Sequence, residues 1–165
     1  MVTTSKPIES QPSLKASLSL RSILVPIDFS KDSEEALRFA SRLATQMGAK
    51  LTLLHVIEPM AYSELSALPM IVSGAELSRA LRGKLLLVCR RNGIAPDLVK
   101  DALVVEGAPF QIINAMASRL KTDLIVIAMH GLTGMTHSLI GCTAERVVRH
   151  APCPVLVART PFLQR

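Results

Sequence analysis

The chain has 165 residues, 49% of them hydrophobic and 19% charged, with a formal net charge of +6 and a mean hydropathy of +0.37. This length suits a single domain, and the apolar content is sufficient for a sizeable core. The positive charge favours anionic ligands, but the basic residues are scattered and aromatic residues amount to 3%, which argues against a nucleic-acid-binding protein. The scarcity of charged residues predicts that a partner chain covers part of the apolar surface.

The three cysteines, Cys89, Cys142 and Cys153, are odd in number and form no C-x-x-C pair, so they do not indicate a disulfide framework. Cysteines without a disulfide pattern are typical of proteins in a reducing compartment. No apolar run approaches the roughly 18 residues of a membrane span, and the first twenty residues lack the apolar core of a signal peptide. We therefore expect a cytoplasmic protein with no membrane partner.

Differences in composition along the chain predict the domain boundaries. Residues 1–20 are rich in Ser, Thr, Pro and Lys without a sustained period, so they predict a flexible arm. Residues 21–160 alternate apolar runs with helix-length segments and predict a single domain. Residues 161–165 are expected to form a short tail.

The apolar runs of this domain predict strands, because they are short, continuous and separated by helix-length segments. There are five of them: residues 22–28 (SILVPID), 50–56 (KLTLLHV), 101–107 (DALVVEG), 123–129 (DLIVIAM) and 154–158 (PVLVA). Strands that are continuously apolar indicate a parallel sheet covered on both faces. The predicted fold class is a three-layer, doubly wound α/β domain with a five-stranded parallel sheet.

Four helices are predicted between these strands from helical spacing and capping residues. The first follows Ser30 and Asp32, its N-cap candidates, and ends at Gly48, which occupies a C-cap position. A longer irregular connection over residues 57–73 precedes the second helix. The remaining helices cover residues 75–91, a segment opened by Pro109, and a segment from near Gly141 to His150.

The fifth strand is predicted to lie at an edge of the sheet, because Pro154 at its start cannot donate a hydrogen bond to a neighbouring strand. Residues 155–157 are nevertheless too apolar for a bare edge. We therefore expect this strand to pair with the same strand of a second subunit, which would give a homodimer.

Unusual residues end the first strand and follow the fourth. The first carries Pro26-Ile27-Asp28-Phe29-Ser30 at its end, and the fourth carries Met129-His130-Gly131. In an open doubly wound sheet, ligands bind beyond the carboxyl ends of the strands, at the point where the winding direction reverses. If these two strands are neighbours, their loops face each other across one crevice.

Four segments of the sequence resemble the universal stress protein family: ILVPIDFS, LTLLHVIEP, DLIVIAMHGLTG and GCTAERVVRHAPCPVLVAR. They occur in the family's order within residues 22–159. The resemblance implies strand order 3-2-1-4-5, as in adenine-nucleotide α-hydrolase-like folds, which places the first and fourth strands side by side. It also implies a homodimer joined through the fifth strand.

The resemblance further implies a binding site for ATP, accompanied by Mg²⁺. Nucleotide-binding members carry the pattern G-x2-G-x9-G-[ST], whose positions here are Ala128, Gly131, Gly141 and Cys142. The first glycine and the final hydroxyl of the pattern are therefore replaced. By resemblance, adenine and ribose would be surrounded by Pro26, Ile27, Asp28 and Val56, and the phosphates would face Ala128, His130, Gly131, Gly141, Cys142 and Thr143.

Physical chemistry supports the same orientation of the ligand. The Asp28 carboxylate only accepts hydrogen bonds, so it suits a ribose hydroxyl and repels a phosphate. Glycines allow backbone N–H groups to approach oxygens closely, and the helix that begins near Gly141 directs its positive end toward the same space. The hydroxyl missing at Cys142 is expected to weaken binding about tenfold, because such a donor contributes about 0.5–1.5 kcal/mol.

Each of these residues also has a structural interpretation. Asp28 could cap the first helix, Gly131 and Gly141 could be ordinary turn residues, and His130 could satisfy a strand-end carbonyl. The methyl group of Ala128 could crowd a phosphate or lie harmlessly in the strand.

The remaining histidines and cysteines have simpler interpretations. His55 is expected to be a core histidine with a satisfied ring, and Cys89 is expected to pack in the core. Cys142, at a helix N-terminus, could be a redox-sensitive thiol. A metal site of His130, His137 and Cys142 lacks a recognisable ligand spacing, so no metal site is predicted.

The sequence contains neither of the phosphate-loop motifs G-x-x-x-x-G-K-[ST] and G-x-G-x-x-G, and no Ser/His/Asp set can be assembled. We therefore predict no catalytic residue and at most slow ATP hydrolysis. The function predicted is an ATP-binding, regulatory or protective homodimer in the stress response. One alternative is a nucleotide-free, partner-binding or chaperone-like protein with a degenerated phosphate loop. Another is an α-hydrolase-type enzyme, which the glycine-free segment IDFSKDS disfavours.

Overall fold

The computed structural model describes residues 19–59, 74–131 and 141–159. Most of the predicted arm, most of the connection over residues 57–73, the middle of the glycine-containing loop and the predicted tail lie outside these residues. All ten site residues predicted from the sequence lie inside them, whereas His137 does not.

Strands and helices alternate along the described residues. The strands are β1 (Ser22–Pro26), β2 (Lys50–Ile57), β3 (Val99–Glu106), β4 (Leu124–Ala128) and β5 (Val155–Ala158). The helices are α1 (Lys31–Met47), α2 (Gly74–Arg91), α3 (Pro109–Leu120) and α4 (Cys142–His150). All predicted strands and helices are therefore present, and a short 3₁₀ helix, Pro96–Leu98, is added before β3.

The five strands form one parallel sheet in the order β3-β2-β1-β4-β5. The central strand β1 has partners from both halves of the chain, since Ile23 pairs with Leu51 of β2 and with Leu124 of β4. This confirms the doubly wound class and the strand order that the family resemblance implied. The winding direction reverses between β1 and β4, so this boundary is the expected position of a ligand crevice.

Side chains alternate between the two faces of the sheet, as the two-residue period of a strand requires. On one face, Ile23 and Val25 of β1, and Ile27 directly after it, pack in a core cluster with residues of α1 and α2. On the other face, Leu24 of β1 packs in a second cluster with residues of α3 and α4. Helices therefore cover both faces, which confirms the three-layer arrangement.

Capping groups set the limits of α1. The Ser30 side chain is the N-cap and accepts a hydrogen bond from the Ser33 amide at 3.1 Å, so Ser30 and not Asp32 has the capping role. At the other end, Gly48 adopts the left-handed conformation with φ of 68°, which a residue with a Cβ adopts only at a cost. The predicted C-cap is confirmed.

Two strand limits differ from the prediction by two residues, and the other limits differ by one residue at most. β1 ends at Pro26 rather than at Asp28, because the Asp28 carboxylate accepts hydrogen bonds from the amide and hydroxyl of Ser30 and turns the chain toward α1. β3 begins at Val99, directly after the 3₁₀ helix. The apolar pattern places the strands correctly but does not show where local turns end them.

β5 lies at an edge of the sheet within the described part of the chain, as Pro154 predicted. All four of its residues are partly exposed. The carbonyl groups of Pro154 and Ala158 accept hydrogen bonds from the amides of Ile125 in β4 and of Met129 directly after it. Val155 and Val157 therefore direct their amides and carbonyls away from β4. No helix among the described residues is long and apolar enough to cross a membrane.

The left-handed cap of α1 yields a stability prediction with a matched control. Neither Gly48 nor Gly83 has an atom within 4 Å of the position that a Cβ would occupy, but only Gly48 has a positive φ. Gly48→Ala should lower the free energy of unfolding by about 1–2 kcal/mol because of backbone strain. Gly83→Ala, inside α2, should raise it by about 0.5–1 kcal/mol. Urea unfolding measures both, and equal effects of the same sign would contradict this account.

Candidate functional site

A pocket lies at the carboxyl ends of the strands, where β1 and β4 are neighbours. The tips of these strands approach each other closely. A Cβ placed on Gly131 would lie 2.5 Å from Oδ2 of Asp28, which is too close for a real side chain. The absence of a side chain at Gly131 therefore allows the Asp28 carboxylate to occupy the crevice between the two strands.

All ten residues predicted to form the site line this one pocket. They come from β1 and the turn after it, from β2, from β4 and the turn after it, and from the start of α4: Pro26, Ile27, Asp28, Val56, Ala128, His130, Gly131, Gly141, Cys142 and Thr143. Segments about a hundred residues apart in the chain therefore converge, as the strand order requires.

Asp28 is fixed by the turn that joins β1 to α1. Its Oδ1 accepts hydrogen bonds from the Ser30 amide at 3.0 Å and from the Ser30 hydroxyl at 2.6 Å. The same hydroxyl is the N-cap of α1. Asp28 thus stabilises the start of α1 through Ser30, and its Oδ2 is directed toward Gly131. Asp28 therefore does not cap α1 itself, as its structural interpretation expected, but supports the capping residue Ser30. This role is compatible with its position in the pocket, because each involves a different oxygen.

Gly141 joins the β4 tip to the start of α4. Its amide donates a hydrogen bond to the Met129 carbonyl at 2.8 Å, and a Cβ at this position would lie 3.0 Å from the same oxygen. The Gly141 amide is therefore occupied within the protein. Gly141 is also the N-cap of α4, and no side chain of the described residues caps this helix. The first-turn amides of Cys142 and Thr143 have no partner within the helix, so they are candidate backbone donors to an anion.

The two departures from the family pattern have different structural consequences. Ala128 is only 8% exposed and belongs to the core cluster on the α1 and α2 face of the sheet, although it also lines the pocket. α4 lies on the opposite face. The methyl group is thus accommodated in the strand and its core. Cys142 is exposed in the first turn of α4, where its amide remains in place of the missing hydroxyl.

The structure adds lining residues that sequence reasoning did not identify. They are Ser33, Leu54, Glu58, Pro109, Ile113, Ile127, Met129 and Ala144. Most are apolar and resemble ordinary strand or helix residues in the sequence. Glu58, after β2, and Pro109, after β3, follow the carboxyl ends of strands, and a systematic reading of every strand end would have found them. Glu58 gives the pocket a second carboxylate.

The simpler interpretation of Cys89 is confirmed, and that of His55 is confirmed in part. His55 is half-buried rather than in the core, and its Nδ1 lies 2.7 Å from the Ile27 carbonyl, so this ring nitrogen has a partner. Cys89 is 5% exposed, and burial raises the pKa of its thiol to about 11. Within the described ranges, no group of three or more His, Cys, Asp or Glu residues could hold a metal ion. The hypothetical metal site includes His137, which lies outside them.

Comparison with known proteins assigns the family. The sequence profile of the universal stress protein family matches residues 19–159. A putative universal stress protein of Staphylococcus haemolyticus is 33% identical over 148 residues, which cover 87% of this chain and 87% of that protein. The universal stress protein UspA from Lactobacillus plantarum is 29% identical, with a TM-score of 0.65, over 84% of this chain and 97% of its own. The chain therefore belongs to the universal stress protein family.

Two further solved structures of this fold contain nucleotides. A universal stress protein in complex with cAMP is 22% identical, with a TM-score of 0.61, over 86% of this chain and 98% of its own. The universal stress protein from Archaeoglobus fulgidus in complex with dAMP is 17% identical, with a TM-score of 0.54, over 86% of this chain and 98% of its own. At these sequence identities, the similarity shows that this chain shares their fold.

The environment of His55 predicts a loss of stability on acidification. Burial, the largest effect, lowers the pKa of His55 below its usual value of 6.5; Lys84 adds to this, and the hydrogen bond to Ile27 and the charge of Asp28 oppose it. The unfolded chain therefore takes up a proton at a higher pH than the folded chain does. The stabilising contribution is fully present above pH 6.5 and is lost as the pH falls from there through the folded-state pKa.

The test is the free energy of unfolding in urea between pH 8 and pH 5.5. The wild type should lose more stability over this interval than His55→Asn, in which the amide can replace the Nδ1 donor but does not titrate. An equal loss in the two proteins would show that His55 does not contribute.

Proposed function

We propose that this protein binds an adenine nucleotide, ATP with Mg²⁺, in the pocket between the tips of β1 and β4. The observation that carries the proposal is the convergence of an acceptor-only carboxylate, Asp28, with Gly131, Gly141 and the N-terminal turn of α4 in a single pocket. The two nucleotide complexes among proteins of the same fold support the ligand class.

The chemistry of the pocket supports one orientation of the nucleotide. Ile27 and Val56 provide apolar surface near Asp28, which suits a base, and the Asp28 carboxylate can accept a ribose hydroxyl. The amides of Cys142 and Thr143 and the positive end of α4 suit the phosphates. The cavity volume is about 200 Å³, small for a ligand site, so we expect the phosphates to extend beyond it, past the start of α4.

Mg²⁺ would bind through the phosphates rather than through a protein cage. This ion keeps several waters and is commonly held by substrate phosphates with one or two carboxylates. The carboxylates of Asp28 and Glu58 line the pocket. Their negative charge would repel the phosphates of ATP without a bound cation. A bound cation would reduce that repulsion.

Equilibrium titration of the purified protein with ATP and Mg²⁺ tests the proposal. Saturable binding below millimolar ATP is expected. Gly131→Ala should abolish it or weaken it more than about tenfold, because the new Cβ would displace Asp28. Gly83→Ala, in α2 and outside the pocket lining, adds a Cβ that meets no atom within 4 Å, so it should bind as the wild type does. Lack of saturable binding by the wild type at millimolar ATP would refute the proposal and favour the nucleotide-free, partner-binding alternative.

We further propose that the protein acts as a cytoplasmic homodimer, regulatory or protective in the stress response, joined through β5. The edge position of β5 among the described strands supports this, because the backbone groups of Val155 and Val157 face away from β4 and their apolar side chains are partly exposed. Pairing with a second β5 would satisfy those groups and cover part of the apolar surface.

Val157→Pro tests the dimer, because proline removes an edge-facing amide without removing a hydrogen bond to β4. Sedimentation equilibrium should show a dimer for the wild type and a monomer, or a much weaker dimer, for the variant. Val157→Thr, which keeps the amide and the branched side chain, is the control and should remain dimeric. A monomeric wild type, or a fully dimeric Val157→Pro variant, would contradict pairing through β5.

A further inference from the structure

The turn after β1 is supported from the α2 side by a stack of three side chains, His55, Phe29 and Lys84. The rings of Phe29 and His55 have centroids 4.5 Å apart, and the Lys84 ammonium group lies 4.0 Å from the centroid of the Phe29 ring. β2 and α2 thus both contribute to holding a residue adjacent to Asp28. We call this set the His55 stack.

The backbone of Phe29 is strained. Its φ of 66° places it in the left-handed region, which is a genuine outlier for a bulky residue that is not glycine. Such a conformation persists only where surrounding contacts compensate for its cost. The contacts of the Phe29 ring with His55 and Lys84 are in position to do so, together with its packing against the core cluster on this face of the sheet.

The strained turn determines the position of Asp28. On its N-terminal side, the Ile27 carbonyl accepts a hydrogen bond from Nδ1 of His55 at 2.7 Å. On its C-terminal side, the Phe29 ring contacts the same His55 ring. His55 therefore contacts both neighbours of Asp28 in the chain, while Ser30 and Gly131 set the positions of the two carboxylate oxygens.

The protonation state of His55 follows from its partner. A carbonyl oxygen can only accept a hydrogen bond, so Nδ1 must have the proton. Burial lowers the pKa of His55, which favours the neutral ring with its proton on Nδ1. This tautomer provides a steady donor to Ile27 at neutral pH.

We propose that His55 is a positioning residue, which through the Ile27 carbonyl and the Phe29 ring holds the Asp28 carboxylate where it selects nucleotides by their ribose hydroxyls. This inference rests on the proposed nucleotide site and adds a specificity-determining residue that does not itself contact the ligand. The ligand class favoured is a ribonucleotide over its deoxy forms. If the position of Asp28 were less well fixed, the protein would lose this preference before it lost its affinity for the base and phosphates.

The experiment compares the dissociation constants of ATP, 2′-deoxyATP and 3′-deoxyATP, all with Mg²⁺, for the wild type and two variants. The wild type should bind ATP about tenfold more tightly than at least one deoxy form, the effect of one lost hydrogen bond to a charged group. His55→Leu removes the donor and should bring this ratio close to one. His55→Asn, whose amide can replace Nδ1, should retain a ratio within about threefold of the wild type.

His150→Leu is the matched control. The Nδ1 of His150 also lies near a backbone carbonyl, that of Arg146 at 2.9 Å, but at the end of α4 away from the pocket. The His150→Leu variant should bind all three nucleotides as the wild type does. Thermal unfolding of every variant confirms that each is folded under the binding conditions.

The outcomes separate this inference from the proposed function. If the wild type binds none of the nucleotides, the nucleotide site itself is refuted. If the wild type binds ATP without any preference for the ribose, or if His55→Leu weakens all three ligands equally and leaves the ratio unchanged, the positioning role of His55 is overturned while nucleotide binding stands.

Discussion

The side-by-side pairing of β1 with β4 is the constraint on which the pocket depends. β1 pairs with a strand from each half of the chain, so the turns after β1 and β4 diverge to opposite faces and leave a crevice between them. Asp28 and Gly131 meet in that crevice only because their strands are neighbours. A different strand order would separate the carboxylate from the start of α4, and the ten predicted residues would not line one pocket.

The strands and helices could be predicted because their signals are local and redundant. Continuous apolar runs, Gly48 at a helix end and Pro154 at a strand start each indicated one structure, and the sheet confirms them. The strand order came from family resemblance, since periodicity does not encode which strands pair. The apolar wall of the pocket was missed because residues such as Ile113 and Ile127 have the same pattern as any core residue.

The strained turn at Phe29 was also beyond sequence reasoning. Nothing in the sequence marks a phenylalanine for the left-handed region, because that conformation depends on contacts with β2 and α2 that exist only in the folded chain. The turn nevertheless connects three properties of the molecule. It ends β1, it brings Ser30 into position to cap α1, and it directs Asp28 into the pocket. Local strain, helix capping and the candidate binding site are therefore parts of one structural unit.

Hydrogen–deuterium exchange with and without saturating ATP and Mg²⁺ tests the shared pocket most directly, because it reports on both sides of the crevice in one measurement. The account predicts slower exchange, on nucleotide addition, for backbone amides in the turn after β1, residues 27–30, and in the first turn of α4, residues 142–144. Slower exchange in only one of these segments, or in neither while ATP is bound elsewhere, would contradict it.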